Sequence, residues 1–408
     1  MGRRRFLAGL TAGGGALALG GSWAMLRSGS DPAAGTTALP ATSPTTPTAS
    51  TLAAVSPTSP PATVPMVGYG PLRPPDGNGL RLPAGFTSRV IATSGEPVAD
   101  TGYRWHQNPD GGATFATPDG GWIYVSNDES DSGGVSAVEF TAAGTIVRAR
   151  SLVRNTRRNC AGGPTPWGTW LSCEEIVDGQ VWECDPAGRA TAVVRPGLGR
   201  FRHEAAAVDP VGSAVYLTED QPDGALYRFV PDTASDLSAG RLEVLVDRGG
   251  LLSWAEVPDP DALDPATRDQ VEGTRRFDGG EGAWFNDGVL WFTTKGDHRV
   301  WSYVPATNTL TVEYDAATAA EASLTGVDNV TVAEPTGDVF VAEEDGNLEV
   351  CVLVPDGAIP FLRLVGVDGS ELTGPAFSPD ATRLYVSSQR NPGRTYEITG
   401  PFHGSAGA

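Results

Sequence analysis

The chain has 408 residues, 40% hydrophobic and 19% charged, enough to bury a large core as one repeat domain or two ordinary ones. Acidic residues outnumber basic ones by 49 to 29, a formal net charge of -20. That balance opposes nucleic acid and anionic membrane surfaces as partners and favours cations.

Arg3-Arg4-Arg5-Phe6-Leu7 opens a Gly/Ala/Leu run that ends near Met25. The pattern resembles a twin-arginine export signal, a route taken by proteins already folded and able to load a cofactor beforehand. No clear cleavage site follows, so residues 1–27 read as a signal or a retained anchor. An uncleaved signal is the one membrane attachment expected. Residues 28–66 are Ala, Thr, Ser and Pro with hardly a charge. They bury nothing and read as a disordered linker that spaces the folded part, residues 67–408, from the cell envelope.

From about Gly111 one unit recurs six times. Its second strand is an apolar run: Trp122 to Val125, Thr169 to Ser172, Val215 to Thr218, Leu290 to Thr293, Val339 to Ala342 and Leu384 to Ser387. Turns rich in Pro, Asp and Gly precede most of these runs, as in Pro118-Asp119-Gly120 and Ser378-Pro379-Asp380. Apolar runs of this length between turn signals are strands. A repeat of about 45 residues with three or four strands predicts an all-β, six-bladed β-propeller. Between the third and fourth copies the spacing stretches, and Pro231 to Arg276 must hold an insertion in which Asp259 to Glu272 suits a short helix.

In a propeller the innermost strand lines the channel and the second runs antiparallel to it, so the start of one lies beside the end of the other. Starts carry Asp110, Cys160, Glu204, Glu281, Asp328 and Glu371. Ends carry Glu129, Glu174, Glu175, Asp220, Lys295, Glu344, Gln389 and Arg390. These groups are expected to meet at one mouth, where crowded carboxylates require cations. Calcium suits such a mouth because it takes several oxygen ligands in irregular geometry.

The most informative stretch is Asn159 to Glu175, NCAGGPTPWGTWLSCEE. A thiol and carboxylates brought together suit more than one kind of metal. This stretch, GRFRHEAAAV (Gly199 to Val208), FSPDATRLYVSSQ (Phe377 to Gln389) and ITGPF (Ile398 to Phe402) resemble the PhoX-type alkaline phosphatases. Those are exported six-bladed propellers with an iron and calcium cluster, and the resemblance covers Asp110 to Phe402. It implies Fe(III) and Ca2+ as cofactors, Cys160 as an iron ligand, and Glu129, Glu174, Glu175, Glu204, Glu281, Asp328 and Glu344 as ligands of iron or calcium. The nucleophile it implies is a metal-bound oxo or hydroxo group or a metal-activated water. One departure stands out: Gly279-Gly280-Glu281 replaces an Arg-Pro-Glu of the family. The acid is kept and an arginine fork suited to phosphate is lost. Arg390, Lys295 and Arg202 are the candidates to replace it.

Asp178-Gly179 reads as a two-residue hairpin turn, which sets Cys173 opposite Cys184 as two buried thiols or a disulfide. Cys351 reads as core, and Cys160 stands outside any strand pattern. His106, His203, His298 and His403 lack zinc spacing, although His203 is placed to orient Glu204. No serine-hydrolase elbow, phosphate loop or dinucleotide fingerprint occurs. The leading expectation is a monomeric, exported phosphatase acting on small phosphomonoesters. A lactonase-like calcium hydrolase and a non-catalytic calcium-stabilised propeller are the alternatives.

Overall fold

Six antiparallel sheets stand in a ring, each inner strand packed against the inner strands of its two neighbours. The computed structural model describes residues 68–319, 322–344 and 346–403. The twin-arginine segment, the linker and Asp345 lie outside the described residues. No helix among the described residues is long and apolar enough to cross a membrane.

Blades 1 to 6 begin with the inner strands Pro109–Ala116, Asn159–Pro164, His203–Val208, Gly280–Asn286, Val327–Ala333 and Leu372–Phe377. The second strands are Trp122–Asp128, Trp170–Glu174, Val215–Glu219, Val289–Thr294, Asp338–Glu343 and Arg383–Ser388. They are buried throughout or nearly so, because each sheet is covered on both faces by neighbouring blades. This explains their apolar runs in place of alternation.

Chain closure comes from residues that precede the repeats. Thr87–Thr93 pairs with Arg394–Thr399 as the fourth strand of blade 6, and Leu80–Arg81 adds a fifth strand to blade 5. Buried polar groups bind the closing blades. Trp122 Nε1 donates to Tyr385 Oη at 2.9 Å, and Tyr385 Oη donates to Glu397 at 2.8 Å. Glu397 also accepts from Arg89 at 2.8 Å and Arg383 at 2.9 Å. Blade 1, blade 6 and the N-terminal strand are thereby joined through one chain of hydrogen bonds.

The insertion after blade 3 differs from the sequence expectation. Instead of a helix over Asp259 to Glu272, it gives two further strands, Asp236–Asp247 and Leu252–Glu256, then irregular chain with a single 3-10 turn at Thr267–Asp269. Pro260 and Pro265 deny that segment N–H groups a helix needs. The Gln270 side chain replaces them, accepting from Asp259 N at 2.8 Å and donating to Asp259 O at 2.8 Å.

The expected pairing of Cys173 with Cys184 is also corrected. Cys173 lies opposite Val181 and Cys184 opposite Trp170, and all four cysteines are free and buried. The connection is longer than a two-residue turn: Glu174 N donates to Gln180 O, and Gly179 N to Ile176 O. A side chain at Gly179 would strike the Glu174 carbonyl, its Cβ falling within 1.9 Å.

Candidate metal centre

Each inner strand of the first five blades carries a bulge at its start. Between Pro109 and Gly112, for example, three steps on the inner strand face two on its partner, from Asp128 to Ser126. The same shift follows Asn159, His203, Gly280 and Val327. A bulge interrupts the ladder and re-aims a side chain. The first bulged residues are Asp110, Cys160, Glu204, Glu281 and Asp328. Cys160 therefore does lie in a strand; the bulge is what hides the strand pattern around it. In blade 6 the shift falls one residue later, at Gly374, which brings no ligating side chain.

Close approach at the axis requires the small residues beside these groups. A Cβ on Gly111 would fall 2.5 Å from Ala161 Cα, and one on Gly282 would fall 2.5 Å from Asn329 Cα. Side chains from the second strands hold the bulges in place. Asn127 Nδ2 donates to the Cys160 and Ala161 carbonyls at 2.9 and 2.7 Å. At the equivalent strand position in blades 3 and 4, Thr218 Oγ1 donates to Glu281 O at 2.5 Å and Thr293 Oγ1 donates to Asp328 O.

A second ring comes from the residue just past each second strand: Glu129, Glu175, Asp220, Lys295, Glu344 and Gln389. The six are equivalent, because their N–H groups donate to Asn108, Arg158, Arg202, Gly279, Gly326 and Glu371 carbonyls at 2.8–3.1 Å. Neighbouring strand residues point to opposite faces. Glu174 therefore turns away from Glu175 and the channel, which removes it from the expected ligand set. Its carboxylate accepts from Arg157 N at 2.9 Å and Gln180 N at 3.2 Å. Glu343 does the same for Thr325 N at 2.8 Å.

Three overlapping groups bring their ligand atoms within 4.8 Å of one another: Asp110, Glu129 and Cys160; Cys160, Glu175 and Glu204; Glu204, Glu281 and Asp328. Cys160 belongs to two groups and Glu204 to two. Seven of the eight sequence-expected ligands thus gather at the mouth, six in these groups with Cys160 and the seventh, Glu344, at its half-open edge beside Lys295. At such separations two ionised carboxylates repel by about 3–4 kcal/mol for an effective dielectric near 20. Burial, reinforced by neighbouring acids, holds the Asp110, Glu204 and Asp328 carboxyls well above the usual carboxylate range. For Glu281, burial likewise outweighs the Lys295 charge. Burial and then Asp110 and Glu204 push the Cys160 thiol up, and it donates to Glu204 Oε1 at 3.2 Å. Only cations let so many groups ionise together.

The donor chemistry fits the two metals differently. The Cys160 groups offer sulfur with oxygen, which suits a transition metal such as iron; the Glu204–Glu281–Asp328 group offers only oxygen, which suits calcium.

Basic side chains rim the acids. Arg202 meets Glu175 at 3.2 Å, Arg390 meets Glu371 at 2.8 Å, and Lys295 meets Glu281 at 2.7 Å. Arg158, which sequence reasoning missed, meets Glu129 at 2.8 Å. It stands two residues before Cys160, as Arg202 stands two before Glu204, and that spacing was its one signal. Gln389, also unassigned, is fully buried and donates to Asp110 and, at 2.8 Å, to Glu129. His203 does not touch Glu204. Its ring is buried against Phe201 and its Nε2 donates to Gly199 O at 3.1 Å. The far end of the channel is different in kind: a cavity of about 750 Å³ walled by Phe115, Trp167, Trp284, Phe285 and Phe377.

A six-bladed propeller with a thiol and a chain of carboxylates at one mouth defines a propeller with a candidate metal site. The profile of the family Alkaline phosphatase PhoX matches residues 141–182 and 178–393, more than half of the chain, and the protein belongs to that family. Among solved structures it is similar to PhoX of Pseudomonas fluorescens in complex with vanadate, a transition state analogue. Identity is 17% over 85% of this chain and 99% of that one, with a TM-score of 0.68. It is also similar to XC5397, a gluconolactonase of Xanthomonas campestris, at 13% identity over 83% and 100% of the two chains, with a TM-score of 0.51. At these identities the likeness speaks to the fold. No curated protein matches the chain.

Proposed function

We propose that the protein is a metal-dependent phosphomonoester hydrolase, exported by the twin-arginine route, whose mouth holds iron and calcium. The observation that carries this reading is the chain of three donor groups joined through Cys160 and Glu204. Calcium alone, as in a lactonase-like hydrolase, has no use for the buried thiol, because calcium prefers hard oxygen donors. When bound, the metals would polarise the phosphoryl oxygens and activate water for attack.

The protein's own residues have separable tasks in this proposal. Cys160 and Glu204, each shared by two donor groups, would hold the ions when these are bound. Asn127, Thr218 and Thr293 hold the bulged strands so that the donors cannot swing apart. Arg158, Arg202 and Arg390 rim the mouth at 43%, 36% and 44% exposure, open enough to leave their carboxylate partners for a phosphate ester. The arginine absent at Gly279 belongs to the same ring of positions as Arg158 and Arg202. Its loss leaves the rim two arginines on one side and Arg390 on the other.

Protein purified from its native exported form is expected to contain iron and calcium and to hydrolyse p-nitrophenyl phosphate. Cys160→Ala is expected to lose iron and on the order of 100-fold in kcat, as follows if the thiol would hold the metal. An iron-free Cys160→Ala protein with full activity would sink the iron mechanism.

A further inference from the structure

The second ring at the mouth contains one cation. Glu129, Glu175, Asp220, Glu344 and Gln389 occupy five of its positions and Lys295 the sixth, all six with the same backbone hydrogen bond to the inner strand of their own blade. Lys295 is not splayed to solvent. Its ammonium lies 3.0 Å from Asp220, 2.7 Å from Glu281 and 3.5 Å from Glu344, carboxylates supplied by blades 3, 4 and 5. The three carboxylates surround one ammonium, a geometry that matches its positive charge. Gly279 makes this pose possible. A Cβ there would fall 2.9 Å from Lys295 Cγ and 3.4 Å from Asp220 Oδ1, in a backbone conformation (φ 70°) that disfavours other residues. The lost side chain at residue 279 and the inward lysine are thus two halves of one arrangement.

We propose that Lys295 is a resident cation: its ammonium fills a position at the mouth that a divalent ion would otherwise take, so the protein binds one ion fewer than its carboxylates allow. This rests on reading the mouth as a metal centre. Three carboxylates from different strands, converging within 3.5 Å of one point, are a set of oxygen donors of the kind calcium uses. A lysine presents three donors on a compact point charge and answers the same electrostatic need without an ion. The neighbouring donor group, Glu204, Glu281 and Asp328, shares Glu281 with it. The lysine therefore also draws part of Glu281 away from any ion held there, which weakens that ion.

The test counts ions on the full protein after stripping with chelator and titration with calcium chloride, by equilibrium dialysis and elemental analysis. Lys295→Met is expected to bind one more calcium per chain than wild type, and calcium is expected to raise its melting temperature more than that of wild type. Lys295→Arg keeps the charge and is expected to bind the wild-type number. Equal calcium binding by wild type and Lys295→Met overturns the proposal. If wild type binds no metal but Lys295→Met binds one, the metal-centre reading fails while the lysine proposal stands. Should Lys295→Met not fold in chelator, recovery of the fold on refolding with calcium chloride supports the proposal. An unfolded protein under both conditions, with Lys295→Gln behaving alike, overturns it.

Discussion

Asn127 offers a sharp test of how the mouth is held together. Its side chain is fully buried at the end of the second strand of blade 1. The amide donates to the Cys160 and Ala161 carbonyls at 2.9 and 2.7 Å. Its oxygen accepts from Trp170 Nε1 and Ser172 Oγ, both at 2.9 Å. Asn127→Ala removes four buried hydrogen bonds. At about 1 kcal/mol net each, with partners left unpaired where water cannot reach, the expected loss is about 4 kcal/mol. Asn127→Asp is expected to be worse, because a carboxylate cannot donate to either carbonyl and adds another buried negative charge beside Asp110 and Glu129. Ser172 and Trp170 keep their acceptor in that variant, so its loss relative to wild type reports the clamp on the bulge together with the added charge. Urea unfolding followed by fluorescence of the 10 tryptophans reads both. The reasoning is refuted if Asn127→Ala costs less than about 1 kcal/mol, or if Asn127→Asp matches wild type.

Two further outcomes follow from the site. Burial raises the Glu175 and Glu371 carboxyls to about 7, above their unfolded values, so the metal-free folded protein holds protons that the unfolded chain releases. Its stability is therefore expected to be fullest near pH 4.5 and to fall as pH rises toward 7 and beyond, a trend calcium should suppress. A metal-free melting temperature that climbs from pH 5 to pH 8 would contradict this. Glu174→Gln and Glu175→Gln are expected to part company: the first costs about 1 kcal/mol of stability and keeps the metals, whereas the second loses metal with little change in fold. Elemental analysis with thermal denaturation distinguishes them, and equal metal content in the two variants would count against the assignment of faces.

The repeat was legible because each second strand is covered on both sides and must be apolar over its whole length, as in Val339 to Ala342. Convergence of the acids was legible too, since antiparallel pairing puts strand starts beside strand ends wherever the strands run. The choice between Glu174 and Glu175 was not. Two adjacent acids read alike along the chain, and which one faces the channel depends on the register with Asn159. A different register, that of the second strand with the third, moved Cys173 from Cys184 to Val181. The helix expected over Asp259 to Glu272 failed because the propensity of its acidic and alanine residues ignored two prolines and the capping role of Gln270.

By itself, then, the sequence determined the number of blades, the acidic mouth and the singular thiol, all properties that repeat or stand out along the chain. Tertiary structure alone decided how the ring closes, through Thr87–Thr93 and the Trp122–Tyr385–Glu397 chain, and which side chains share a site. Closure joins segments some 300 residues apart, such as Arg89 and Glu397, and leaves no periodic trace. A bulge shifts a strand by one residue, and a side-chain period of two makes that single residue the difference between facing an ion and capping a turn.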